Sequence, residues 1–316
     1  MSTIASGFLK STAILDLEYR GRDRYIACCL LDGEGEIALL DPGPSSTINT
    51  LQRKLKDRGI TVSDIGSILL THIHFDHAGA TGALVKLNPN IRVYAHSKGA
   101  THLRDPKRLV ESASRVFGTS IEEFWGPFDP VPAQNLHTLY GGELIAIGSR
   151  EFEVLYTPGH AVHHVSFFET SSKVAFVGDA AGVRINDSFV YPATPPPDVD
   201  LGSIDNSLEL IQARTPERLF LTHFGLMARV EWHIADFRDR LLRWSEFVRL
   251  SLEQQGDDSQ RAREFSEMAK AELSSVLTKA EAAWFENLIS FQQSWYGLAR
   301  YWRRRNDYPD TPSGSL

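Results

Sequence analysis

Cysteine is almost missing from this chain of 316 residues: there are two, Cys28 and Cys29, side by side. Neighbours in a strand point to opposite faces, so these two cannot close an ordinary disulfide. They sit in the apolar run Tyr25 to Leu31 and read as core residues, which excludes a disulfide scaffold and a thiolate metal site. Positive charge is also short. Lys and Arg number 33 against 40 Asp and Glu, for a net charge of −7, so neither nucleic acid nor an anionic membrane is an expected partner. The one dense basic run, Arg303 to Arg305, reads as a solvated tail. No stretch is apolar for long enough to cross a bilayer. The opening MSTIASGFLKSTAILDL lacks the parts of a signal peptide, and the expected location is cytoplasmic. Neither a nucleophile elbow nor a phosphate-binding glycine loop occurs.

What is present suffices for a large core, with 42% apolar and 23% charged residues. Up to about residue 230, short apolar strands alternate with turns and a few helices. Thr12–Leu17, Tyr25–Leu31 and Glu36–Leu40 read as a meander, broken by Asp41-Pro42-Gly43-Pro44. Further strands are expected at Ser67–Leu70, Ile91–Tyr94, Glu151–Tyr156, Lys173–Val177 and Leu219–Leu221. Residues 97–147 read as an excursion over one face, helical around residues 106–118. Phe124, Trp125 and Phe128 within it are placed to wall a pocket. Past Glu231 the apolar spacing becomes helical, in three helices running to Trp302, with five of the six tryptophans. Residues 1–230 are therefore expected to form a catalytic domain and 231–316 a helical cap or homodimer interface.

The chemistry concentrates in THIHFDHAG, residues 71–79, with His72, His74, Asp76 and His77. A strand delivering Thr71 continues into His72 and His74, which point the same way by the two-residue period. Imidazole and carboxylate are good ligands for first-row divalent ions. These four side chains suit two ions, each awaiting ligands from elsewhere. Other strands supply them: Glu151–Tyr156 leads into TPGH with His160, Lys173–Val177 into Gly178-Asp179, and Leu219–Leu221 into Thr222-His223. If these strands share a direction, their ends converge on one site. His163 or His164 is a candidate to orient a ligand. His96, His102, His137 and His233 stay unassigned.

In that order, THIHFDHAG, TPGH, GD and TH resemble the metallo-β-lactamase-fold hydrolases over roughly residues 10–230. The resemblance implies an α+β architecture, an αββα sandwich with metals at one edge of its two sheets, to which the helical C-terminal extension is added. It implies that His72, His74 and His160 hold one metal, that Asp76, His77 and His223 hold a second, and that Asp179 bridges them. Zinc is the first choice, with iron or manganese accepted by the same donors.

The implied reaction is attack of a metal-bridging hydroxide on an ester, with Asp76 and Asp179 as proton carriers. Departures from relatives narrow the substrate. His74 replaces the Glu usual in flavodiiron proteins, and Asp179 the Cys or Ser of true β-lactamases. Gly182 stands where acyl-homoserine lactonases usually carry a tyrosine. The expectation is a small-molecule carboxylic ester, lactone or thioester, with phosphoesters close behind. A glyoxalase II-like thioesterase and a mononuclear iron persulfide dioxygenase are the alternatives.

Overall fold

The computed structural model describes residues 11–117, 121–286 and 290–306. The first sheet contains β1 (Thr12–Asp16), β2 (Ala27–Asp32), β3 (Ile37–Leu40), β4 (Ile65–Leu69), β5 (Arg92–His96) and β6 (Leu136–Leu139), in that order. β1 to β3 pair antiparallel, as the meander reading expects, and β3 to β6 pair parallel. Helices α1 (Ile48–Lys56), α2 (Phe75–Ala78), α3 (Thr81–Leu87), α4 (Ser97–Arg104), α5 (Lys107–Phe117) and α6 (Ile121–Trp125) join its later strands.

The second sheet holds β7 (Leu144–Ile147), β8 (Arg150–Tyr156), β9 (Val165–Glu169), β10 (Val174–Phe176), β13 (Arg218–Leu221) and β14 (Gly225–Met227), in the order β14-β13-β10-β9-β8-β7. β11 (Val183–Asn186) and β12 (Phe189–Tyr191) form a separate hairpin, and α7 (Leu201–Gln212) precedes β13. β10 runs parallel to β13 and antiparallel to β9, which is antiparallel to β8. The three strands that lead to His160, Asp179 and His223 therefore share one direction.

Alternation along the strands separates two apolar layers. Cys29, Leu31, Leu40, Leu69, Phe152, Phe167, Phe176 and Phe220 meet between the sheets. Cys28, Leu30, Leu39, Ile68, Leu155, Phe168 and Leu219 face outward and are covered by helices. The two cysteines are thus buried on opposite faces, free, as the strand period requires.

The remaining helices are α8 (Val230–Ser251), α9 (Asp258–Ser274), α10 (Lys279–Glu286) and α11 (Phe291–Asn306). The last of the three expected helices is therefore two, Lys279–Glu286 and Phe291–Asn306. Strands β6 and β7 were not expected within 97–147. Phe237, Trp244, Phe265 and Trp295 from the tail belong to the same buried cluster as Leu15 and Ile68 of the first sheet. Arg240 ties α8 to the hairpin: its guanidinium donates to the Val190 carbonyl at 2.7 Å and lies 3.8 Å from the Phe189 ring centroid. Arg303 is no solvated tail residue either, since it forks onto Asp258 at 2.7 and 2.9 Å. Among the described residues, no helix is long and apolar enough to cross a membrane.

Candidate metal centre and its cleft

All seven residues singled out in the sequence meet at one edge of the sandwich. His72, His74, His160, Asp179 and His223 lie in the segments just beyond strand ends, where the backbone leaves the ladder and side chains are free to turn inward. Thr71 follows β4, and both its amide and its hydroxyl donate to buried Asp41, at 2.8 and 2.7 Å. That anchors the turn from which His72 and His74 project. Asp76 and His77 follow on the short helix α2, whose first residue is Phe75.

The side chains form two groups that share Asp179. In the first, His74 Nδ1 lies 2.9 Å from His72 Nε2 and 3.0 Å from His160 Nε2. Burial, reinforced by neighbouring histidines, lowers the pKa of His72 well below its usual value and brings His74 down to about 3. Neutral rings have a lone pair to offer. In the second group, His223 Nε2 lies 3.2 Å and His77 Nε2 3.8 Å from Asp76 Oδ2. Asp179 turns Oδ1 toward this group, 3.4 Å from His77 Nε2, and Oδ2 toward the first, 3.5 Å from His160 Nε2. The donor atoms of His72, His74 and His160, and those of Asp76, His77 and His223, each lie within 4.8 Å of one another, a spacing that can hold an ion.

The outer bonds fix which atom faces inward. His77 Nδ1 bonds Asp41 at 2.8 Å, His160 Nδ1 bonds the Ala193 carbonyl at 3.0 Å, and His223 Nδ1 bonds the Tyr25 carbonyl at 2.7 Å. In all three the free nitrogen is Nε2. Of the two candidate orienting histidines, His164 is the one hydrogen-bonded to Asp179: its Nε2 accepts the Asp179 amide at 3.2 Å while Nδ1 meets the Thr157 hydroxyl at 2.9 Å. His163 stacks on His72 with ring centroids 6.1 Å apart. Among the unassigned histidines, His233 of α8 bonds the Ala181 carbonyl at 2.8 Å, two residues past Asp179. Asp41, which bonds His77 from behind, carries no ligand-like spacing in the sequence.

The electrostatics favour a cation. Burial works to raise both carboxyls, yet His77 and His223 override it, bringing Asp76 down to about 2 and Asp179 well below the usual carboxylate range. Burial likewise works to lower His77 and His223, and the carboxylates of Asp179 and Asp76 override it in the opposite direction. The ionised carboxylates make this edge a sink for positive charge. His77 Nε2 and Asp179 Oδ1 face each other at 3.4 Å, buried and without a well-formed hydrogen bond, an arrangement that an ion between them would complete. The donor set fits divalent metal.

A cleft of about 210 Å³ opens on His74, Asp76, His160, Asp179 and His223. Its walls include Tyr25, Phe75, Trp125, Tyr191 and Pro195 to Pro197. Trp125 alone of the three expected aromatics is among the described lining residues, since Phe128 packs its edge on Phe75 and Phe124 lies under Arg20. The tail contributes Ser290, Gln293 and Ser294. No Lys or Arg occurs among the described lining residues.

A sequence model of the metallo-beta-lactamase superfamily matches residues 21–223. The metallo-beta-lactamase fold-containing protein ST1585 of Sulfurisphaera tokodaii is 28% identical over 207 residues, 65% of this chain and 73% of its own. A hydroxyacylglutathione hydrolase of Legionella pneumophila is 27% identical over 157 residues, half of this chain and 47% of that protein. The crystal structure of the metallo-beta-lactamase family protein TTHA1429 from Thermus thermophilus superposes with a TM-score of 0.72 at 22% identity, covering 95% of both chains. That likeness in fold takes in the helical tail. The sandwich, the strand-end histidines and aspartates, and the matched sequence model agree: this chain belongs to the metallo-beta-lactamase superfamily.

Proposed function

We propose that this chain is a dinuclear metal-dependent hydrolase of small, uncharged carboxylic esters, lactones or thioesters. The observation that carries the reading is Asp179, whose two carboxylate oxygens face different ligand groups 3.4 and 3.5 Å away. His72, His74 and His160 would hold one ion, Asp76, His77 and His223 the other, and Asp179 would span both. Two divalent ions, zinc first among them, would supply Lewis acidity and a water acidic enough to be a nucleophile near neutral pH. A mononuclear iron dioxygenase leaves the second group without a role.

The protein's own residues provide the rest. Asp76 is 21% exposed toward the cleft and ionised, so it can take a proton and pass it to the departing oxygen or sulfur. His164 and Asp41 hold Asp179 and His77 in place from behind. The aromatic and proline walls exclude water and offer contact to an apolar acyl group. Without Lys or Arg among its described lining residues, the cleft is poorly matched to a phosphate dianion. Relatives named hydroxyacylglutathione hydrolase support a thioester within the substrate range.

The test is a panel of aliphatic esters, lactones, acyl thioesters and phosphomonoesters, assayed with protein loaded with zinc or manganese. We expect kcat/KM for uncharged acyl substrates to exceed that for phosphomonoesters at least tenfold. Faster phosphoester turnover would contradict the assignment.

A further inference from the structure

We propose that Tyr25 is a catalytic residue whose phenolic hydroxyl donates a hydrogen bond to the substrate oxygen that gains negative charge as the acyl carbon is attacked. The inference rests on the hydrolytic reading above and adds to it the group that stabilises the developing charge.

Tyr25 is 7% exposed and lines the cleft. Its ring is held on several sides: 5.1 Å from the His223 ring, stacked at 5.8 Å on Tyr19, and edge-on at 5.9 Å to Trp284 of α10. Its carbonyl accepts from His223 Nδ1, so the backbone of this residue is already part of the site. The side chain is therefore rigid beside a candidate ligand. Yet among the described residues nothing is hydrogen-bonded to its hydroxyl. A buried phenol normally finds a partner, as Tyr191 across the cleft does with Ser294 Oγ at 2.7 Å. An unpartnered donor on a nearly buried side chain that lines a cleft is available to a ligand. Among the cleft's described hydroxyl residues, Tyr25 alone is in ring contact with one of the seven centre residues.

With no Lys or Arg among the cleft's described lining residues, Tyr25 would act beside the Lewis acidity that the ions would supply. The reaction balances without consuming the tyrosine proton. Water oxygen bonds to the acyl carbon, and the bond to the leaving oxygen or sulfur breaks. The leaving group departs with the bonding pair and receives a proton carried by Asp76. The carbonyl is restored and an acid and an alcohol or thiol result. Tyr25 keeps its proton throughout, donating more strongly as charge builds on the oxygen. Donors of this kind are aimed where charge develops, and deleting one lowers kcat about 10²- to 10³-fold in well-studied sites.

Tyr25→Phe removes the hydroxyl while keeping the ring packing and the carbonyl that holds His223. With metal-loaded protein and the best ester of the panel, we expect kcat to fall about 10- to 100-fold, with KM within about threefold and metal content unchanged. Binding of a straight-chain alkylboronic acid, whose tetrahedral anion mimics the charged oxygen, gives a readout independent of turnover. Y25F should weaken it about tenfold. If the wild type turns over no ester but binds the boronic acid in a Tyr25-dependent way, the donor role stands and the hydrolytic assignment fails. Unchanged kcat and boronic acid affinity in Y25F would overturn the inference. So would loss of metal together with activity, which would make the hydroxyl a support of the metal centre, and so would a wild type with neither turnover nor boronic acid binding.

Discussion

Asp41 is fully buried, sits in the left-handed backbone region at φ 49°, and ties together three segments that build the site. Its carboxylate accepts from the Thr71 amide and hydroxyl, from His77 Nδ1 at 2.8 Å and from the Thr222 hydroxyl at 2.7 Å. Asn tolerates this backbone conformation but presents one oxygen and an NH2 group where two acceptor oxygens are needed. Asp41→Asn should therefore fold yet bind zinc about 10- to 100-fold more weakly, measured by competition with a chromophoric chelator. Unchanged affinity would show that His77 needs no such support. The contrast with His72, His74, Asp76 and His77 explains what the sequence could reveal. Those four lie within six positions, so their spacing is itself the signal. The partners of Asp41 lie 30, 36 and 181 residues away, and an aspartate before Pro-Gly reads as a turn residue.

Strand ends were legible because buried strands in such a sheet are continuous apolar runs closed by a Thr or Gly and a polar residue. β6 and β7 escaped notice because they are four-residue edge strands with exposed positions, too short for a firm period. The tail's helices were visible in their spacing, while their contact with the cleft was not, since it depends on close approach. Gly297 of α11 is the clearest case: a Cβ there would lie 2.0 Å from the Thr194 carbonyl oxygen, just before the three prolines. Gly182 is similar, since a Cβ there would meet Phe237 of α8 and the Tyr191 carbonyl oxygen at 2.6 Å. That packing leaves no room for a tyrosine at 182. Gly297→Ala should push α11 off the proline loop, lowering stability by about 1–3 kcal/mol in denaturant titrations. It should also raise KM for the preferred ester, because Gln293 and Ser294 move with the helix. A variant with unchanged stability and KM would show that the helix does not set the cleft.

At the scale of the whole molecule, the superfamily match stops at residue 223, while the buried core does not. Helices α8 to α11 pack on the outward face of the sandwich, and the Tyr191 to Ser294 hydrogen bond joins the last of them to a wall of the cleft. The sandwich supplies the candidate ligands, and the tail completes the space in front of them. The sequence indicated the metal edge clearly because ligand chemistry restricts residue type. It says little about a substrate, because walls of Pro, Trp and Tyr are built from residues that also pack ordinary cores. The direct test of a dinuclear centre bridged by Asp179 is the zinc-binding stoichiometry of metal-stripped protein, titrated for the wild type and for Asp179→Ala. A dinuclear centre should take up two ions per chain in the wild type, with D179A losing tight binding of at least one. A single tight ion in the wild type, or two undiminished ions in D179A, would contradict it.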